Sequence, residues 1–265
     1  LTTLREKLHS WNMDLPLIPS YDDKGTIGGL VATKSLNASS FHHGTIREWV
    51  EELTITVDNG EEHKIADGIT PSGRLLGIYQ ALFPIVAESG PTLRGAKPET
   101  NDDASGYSLW NASIGPRQLL DELVGSEGTL GIITSVTLRL IPRKPHTLTT
   151  CIPVPDLSLI PSIITIAKRH MAEEIFLIDK QYSELVERYH PRLIPLLKET
   201  PYVLFVTQSA YDTEKLHGLE RTFIRALPIP KETMISIENG EFMKKLQDQK
   251  FLISLFDTYT NNSQI

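Results

Sequence analysis

A single cysteine, Cys151, leaves nothing for an intramolecular disulfide framework or a cysteine-rich zinc site. It fits a reducing compartment. Basic residues are outnumbered 26 to 33, for a formal charge of −7, and neither half of the chain carries a basic excess. A protein that grips the phosphate backbone of nucleic acid is therefore a poor fit. No run approaches the roughly 20 apolar residues of a membrane helix. The first residues, Leu1-Thr2-Thr3-Leu4, lack a Met, a basic stretch and an apolar stretch, so they are not a signal peptide and read as a chain cut in mid-sequence. Neither a GxGxxG fingerprint nor a P-loop is present, which removes support for Rossmann or Walker nucleotide binding. What is present is 40% apolar and 22% charged residues over a length sufficient for two packed domains.

The apolar spacing predicts a helix over Leu1–Trp11, with Leu1, Leu4, Leu8 and Trp11 on one face. Pro16 and Pro19 predict an extended segment to Ser20. Leu53, Ile55 and Val57 alternate with polar residues, and Asp58-Asn59-Gly60 then turns the chain toward Glu62–Ile65. This predicts a hairpin with Asn59-Gly60 supplying positive φ angles. Pro71 predicts the first turn of a helix carrying Leu75, Leu76, Tyr79, Leu82 and Phe83, and residues 90–108 read as a loop. Pro116 opens a second helix with Leu119, Leu120, Leu123 and Val124 inward. A strand with Val136, Leu138 and Leu140 on one side follows. Pro142 and Pro145 mark an expected boundary between domains at 1–142 and 146–265. Beyond it, strands at about 147–154, 175–178 and 202–207 alternate with helices at about 157–170, 181–198 and 212–226, the last capped by Asp212. This order predicts a helix-backed, ferredoxin-like sheet and an α+β fold class. The tail Asn261–Ile265 is polar.

Two glycine clusters are the candidates for chemistry. Gly28 and Gly29 have no Cβ, so a phosphate can approach their amides; Gly125, Gly128 and Gly131 offer a second such bend. Each cluster alone reads more readily as glycines that close turns. Glu127 reads as a turn carboxylate capping nearby amides, and Asp22-Asp23-Lys24 as a solvated turn. His42 and His43, adjacent on an expected extended segment, point to opposite faces and do not share a ligand. Tyr107 reads as a core tyrosine and Cys151 as an inert buried thiol. His170, His190 and His217 read as surface residues without acidic partners at ligand spacing, and Trp11, Trp49 and Trp110 as packing anchors.

Taken in order, Pro19-Ser20, Thr26-Ile27-Gly28-Gly29, Ala32-Thr33, Gly44-Thr45, Arg47-Glu48-Trp49-Val50, Gly106-Tyr107 and Gly125-Ser126-Glu127-Gly128-Thr129-Leu130-Gly131-Ile132-Ile133-Thr134 form a pattern. It resembles the FAD-linked oxidase family of the vanillyl-alcohol-oxidase, or PCMH-type FAD-binding, superfamily. Within it the pattern is most similar to the glycolate oxidase, D-lactate dehydrogenase and D-2-hydroxyglutarate dehydrogenase group. The resemblance is strong over 13–142. Over 146–265 it extends, more weakly, to the start of that group's substrate or cap domain.

The resemblance implies a PCMH-type FAD-binding subdomain followed by part of a ferredoxin-like cap domain, with FAD as cofactor. It implies that Pro19, Ser20, Thr26, Ile27, Gly28, Gly29, Thr33, Lys34 and Ser35 border the flavin and diphosphate. Gly125, Ser126, Glu127, Gly128, Thr129, Gly131, Ile132 and Ile133 then form the second cofactor-binding stretch. The implied reaction is oxidation of a small D-2-hydroxy acid, such as D-lactate or glycolate, by hydride transfer to flavin. The sequence departs from the family pattern in lacking the upstream glycine-rich diphosphate loop and the His-x-Gly-Asp-Gly-Asn-x-His motif, so no catalytic or metal-ligating residue is assigned. Lys34, Asn37 and His43 also replace an amide, a glycine and a tyrosine. The expectation is a fragment, inactive on its own, that dimerises or aggregates through an exposed apolar face. Its expected location is cytoplasmic, free or peripheral to the inner membrane. The alternative is a non-catalytic, flavin-domain-like subunit or interaction module.

Overall fold

A computed structural model describes residues 1–18, 25–96, 106–108, 116–182, 184 and 200–238. Pro19, Ser20, the Asp22-Asp23-Lys24 turn, Trp110, His190, most of the helix expected at 181–198 and the Asn261–Ile265 tail lie outside the described residues. The chain is α+β, with three antiparallel sheets among the described residues.

Helix α1 (Thr2–Ser10) buries Leu8, and Leu1 and Leu4 pack against the same core. Trp11, expected as an anchor, is 59% exposed beneath the Lys7 ammonium. Pro16-Leu17 forms a turn, closed by the Ile18 N–H donating to Leu15 O at 3.2 Å, rather than the expected extended segment. This turn buries Leu15, Leu17 and Ile18. Strand β1 (Met13–Asp14) pairs with β5 (Ile141–Pro142), so the first and last parts of this region meet.

The hairpin forms where expected, from β2 (Val50–Thr56) and β3 (Glu62–Ala66). Its turn differs in kind. Gly60 takes φ +85° but Asn59 does not enter the left-handed region. Gly60 N–H donates to Val57 O and Val57 N–H to Glu61 O, both at 3.0 Å, the pattern of a longer hairpin loop with glycine at the left-handed position. Strand β4 (Ile132–Leu138) completes the sheet in the order β3-β2-β4. Its alternation is as expected: Val136 and Leu138 pack on the core, and Thr137 and Arg139 face out.

Helix α4 begins at Gly73, two residues after Pro71, and runs to Gly95 through Pro84 and Pro91. The loop expected from residue 90 therefore starts later. Leu75 and Tyr79 hold the first turns on the core, while Leu82, Phe83 and Ile85 stay exposed. On a largely solvated helix, a missing proline N–H leaves carbonyls that water can satisfy. Helix α5 (Pro116–Leu123) buries Leu119, Leu120 and Leu123, with Val124 just beyond it, as the spacing predicts.

The second sheet region is β6 (His146–Val154), α6 (Ile160–Arg169), β7 (Glu174–Asp179), β8 (Tyr202–Ala210), α7 (Thr213–Ala226) and β9 (Ile235–Glu238). The strand order β7-β8-β6-β9, antiparallel throughout, is the ferredoxin-like arrangement. Strand β9 was not legible in the pattern. Asp212 caps α7 by accepting the Lys215 N–H at 2.7 Å. Ile152, Val154, Leu204 and Val206 meet Ile163, Ala167 and Phe223 in one core. Cys151 on the opposite sheet face is buried, and burial pushes its thiol up to about 12, which keeps it inert.

Among the described residues the two regions touch at specific points. Ser39 Oγ donates to Glu174 Oε1 at 2.7 Å, Lys144 pairs with Glu173, and Phe41 packs into the second core under the Lys168 ammonium. His42 and His43 end a short helix α3 (Ser40–His43) instead of an extended segment, and their rings meet edge-on at 4.7 Å. Burial, with the His42 and Lys144 charges, drives His43 down to about 4 against the opposing pull of Glu173. His217 has the acidic partners the sequence did not show: Glu220 and Glu238, each 3.3 Å from one ring nitrogen.

Candidate cofactor site

The first glycine pair folds as a helix rather than a bend. Thr26, extended at φ −109° and ψ 156°, caps α2 (Ile27–Ala32), its hydroxyl oxygen accepting the Gly29 N–H at 3.0 Å. Gly28 is needed for closeness rather than for an unusual φ. A Cβ there would stand 3.3 Å from Ile133 O, so glycine lets α2 lie directly on β4.

The second cluster is a true bend. Gly125, Glu127 and Gly128 take φ of +93°, +50° and +82° in four residues, immediately after α5. This reverses the chain into β4. The two clusters are joined by backbone: Gly125 N–H donates to Val31 O at 3.1 Å and Glu127 N–H to Ala32 O at 2.9 Å. Residues about a hundred positions apart thus form one seam, as the pattern required.

Around the seam the polar side chains are ordered by their hydrogen bonds. Thr33 Oγ1 donates to Gly29 O at 2.9 Å, so the Ser35 hydroxyl, 2.8 Å away, donates to Thr33. Thr129 Oγ1 donates to Ser126 O at 2.6 Å, so the Tyr107 hydroxyl donates to Thr129 at 2.8 Å. Tyr107 is exposed beside the bend, not in a core. Glu127 is exposed too, and among the described residues its carboxylate caps no amide, contrary to expectation. Lys34 takes φ +47° and is 7% exposed; its Nζ donates to Ser108 Oγ at 3.2 Å.

The candidate residues divide by direction. Thr26, Gly29, Thr33, Glu127, Gly128, Thr129 and Ile132 are exposed, and Ile132 is 68% so. Ile27 and Ile133 pack on the core and Ser126 is buried, so these three side chains are turned away from solvent. Gly131 sits where a Cβ would come 3.0 Å from Thr56 O, which fixes the bend against β2.

Sequence reasoning missed two features. Ser108 lies in a polar loop with no periodicity to single it out. Glu122, on α5 just ahead of the bend, is buried with Oε1 unpartnered among the described residues; burial, then the Asp121 charge, pushes it up to about 7. Asp121 itself pairs with buried Arg47, whose Nη1 donates to Val50 O at 3.2 Å. This ties α5, and hence the bend, to the start of β2.

No family model matches the chain. Among curated proteins, D-lactate dehydrogenase of Archaeoglobus fulgidus is 25% identical over 167 residues, 63% of this chain and 28% of the relative. D-2-hydroxyglutarate dehydrogenase of Xanthomonas citri pv. viticola is 24% identical over 189 residues, 71% of this chain and 31% of the relative. The chain therefore spans less than a third of the length of these relatives. A solved structure of alkyldihydroxyacetonephosphate synthase superposes with a TM-score of 0.58 at 16% identity, covering 95% of this chain and 43% of that one, and so shares its fold.

Proposed function

We propose that this chain is a member of the FAD-linked oxidase family and carries part of an FAD-dependent oxidation of a small D-2-hydroxy acid such as D-lactate or glycolate. In this reading residues 1–142 are a portion of the FAD-binding domain and 146–265 a portion of the substrate domain. The observation that carries the reading is the seam, where α2 and the Gly125–Gly131 bend are welded by the Gly125–Val31 and Glu127–Ala32 hydrogen bonds.

The residues at the seam fit a flavin dinucleotide. Such a ligand has an anionic middle and flat, partly apolar ends. The seam offers exposed residues at Thr26 and Gly29 and open space at Gly128, where nothing lies within 4 Å of a Cβ position. Hydroxyls of Ser35, Tyr107 and Thr129 and the apolar side chains of Leu130 and Ile132 line its exposed side. Backbone amides neutralise a diphosphate without a cluster of lysines. Thr26 to Gly29, Thr33 to Ser35 and Gly125 to Ile133 would hold the cofactor, with Pro19 and Ser20 extending the same edge. FAD, when bound, accepts the two electrons of the substrate's C–H bond as hydride. The seam residues orient that group and exclude water from one side of it; the chain alone is proposed to bind without turning over.

The purified chain titrated with FAD tests this. Expected is quenching of flavin fluorescence with one FAD per chain, weaker binding of riboflavin, and no D-lactate- or glycolate-dependent dye reduction. Absence of FAD binding up to its solubility would remove the reading, and dye reduction above blank would remove the proposed inactivity. Exposed Leu130, Ile132 and Tyr107 beside the seam support the further reading that this face associates with a second copy or a partner subunit.

A further inference from the structure

We propose that the Lys34 ammonium and the Ser108 hydroxyl form an oxyanion-binding site at the seam. The proposal rests on the cofactor reading above and deepens it by naming the charge that the seam recognises. Lys34 follows α2 directly, and its stem lies along the second bend: a Cβ on Gly125 would stand 3.2 Å from Lys34 Cβ and 3.5 Å from Cδ. The side chain is therefore packed against the second glycine cluster, and more than nine-tenths of the residue is out of solvent.

Its partners do not match its charge. An ammonium carries three N–H donors. Among the described residues Lys34 Nζ meets one neutral hydroxyl, Ser108 Oγ at 3.2 Å, and no carboxylate. Elsewhere in this region the buried cation Arg47 has Asp121, and the half-buried Lys144 has Glu173. A buried charge without a counter-ion is unfavourable by several kcal/mol in general. The arrangement is explained if the counter-charge arrives with a ligand. Ser108 Oγ accepts from Lys34, which leaves its own O–H to donate in turn. A cation and a hydroxyl donor, held adjacent and buried, suit an oxyanion: the diphosphate of a dinucleotide or the carboxylate of a small hydroxy acid.

The test is calorimetric titration of the whole chain with inorganic pyrophosphate, FAD, riboflavin and sodium D-lactate, for wild type, Lys34→Met, Lys34→Arg and Ser108→Ala. Expected is 1:1 binding of at least one oxyanion to wild type. Lys34→Met should weaken it roughly ten- to hundredfold, the range of a lost charge-assisted hydrogen bond. Lys34→Arg should retain most of it, and Ser108→Ala should fall between. Loss of pyrophosphate and FAD binding together assigns the diphosphate; loss of D-lactate binding alone assigns the carboxylate. The Lys34→Met chain without ligand should melt at or above the wild-type temperature, because an uncompensated charge has been removed. Oxyanion binding that is absent from wild type, or unchanged in Lys34→Met and Ser108→Ala, overturns the proposal. Binding of FAD, pyrophosphate and D-lactate that is no weaker in Lys34→Met than in wild type would remove the oxyanion site and leave the cofactor reading standing. Lys34-dependent pyrophosphate binding without any flavin binding would do the reverse.

Discussion

Substituting Gly125 by alanine perturbs the seam at the atom where its halves touch. Two effects add. At φ +93° an L residue is disfavoured by about 1–2 kcal/mol. The loss of unfolded-state freedom on replacing glycine returns about 0.4–1 kcal/mol. The new methyl also arrives 3.2 Å from Lys34 Cβ, part of the stem rather than the mobile tip, so one of the two must shift. A methyl forced into occupied space adds about 1 kcal/mol or more. Gly128 is the matched control: its φ is +82° but nothing lies within 4 Å of its Cβ position. Gly128→Ala should therefore destabilise by about 0.5–1 kcal/mol and Gly125→Ala by about 1.5–2.5 kcal/mol. Urea unfolding, with the slope unchanged and the midpoint lowered, reads both. In a Lys34→Gly background the contact is gone, and Gly125→Ala should cost no more than Gly128→Ala, a coupling of about 1 kcal/mol. Equal effects of the two alanines in the wild-type background, with no coupling to position 34, would refute the packing of Lys34 against the second bend.

Glu122 makes stability depend on pH. Its folded value of about 7 lies above the ordinary 4.5, so its contribution is complete below pH 4.5 and is lost as pH rises through about 7. Allowing for water access, Glu122→Gln should gain about 1–3 kcal/mol relative to wild type at alkaline pH, with the difference vanishing at acid pH; parallel urea curves across pH would contradict this. His43, held down to about 4, slopes the other way: its contribution is present above 6.5 and lost as pH falls toward 4, so His43→Gln should blunt acid destabilisation. Asp121→Ala leaves the Arg47 cation buried and should destabilise by about 3–5 kcal/mol, whereas Arg47→Met with Asp121→Leu should recover most of that loss in thermal melts.

Much of the fold was legible because its signals are local. Alternation at Leu53–Val57, the Pro116 start of α5 and the Asp212 cap each involve residues a few positions apart. The convergence of the two glycine clusters was legible only through their joint resemblance to a known pattern. What was not legible depends on partners distant in sequence. Gly28-Gly29 looks like a turn until Ile133 O of β4 is found 3.3 Å from where a Gly28 Cβ would stand, when the same absence of side chain lets a helix pack there. His217 looks unpartnered until β9 brings Glu238 to its ring. Tyr107 looks like a core residue until Thr129 takes its hydroxyl at the surface. The hairpin shows the same limit locally: Asn59-Gly60 marks the turn's place, but the bond from Val57 to Glu61 decides its type.

Hydrogen exchange of the chain with and without saturating FAD tests the central claim most directly. If the seam holds one dinucleotide, peptides spanning residues 26–35 and 125–133 should both slow on FAD addition, in parallel, while the β6–β8 pair keeps its rate. Protection confined to one of those segments, or to neither, would contradict a shared cofactor site.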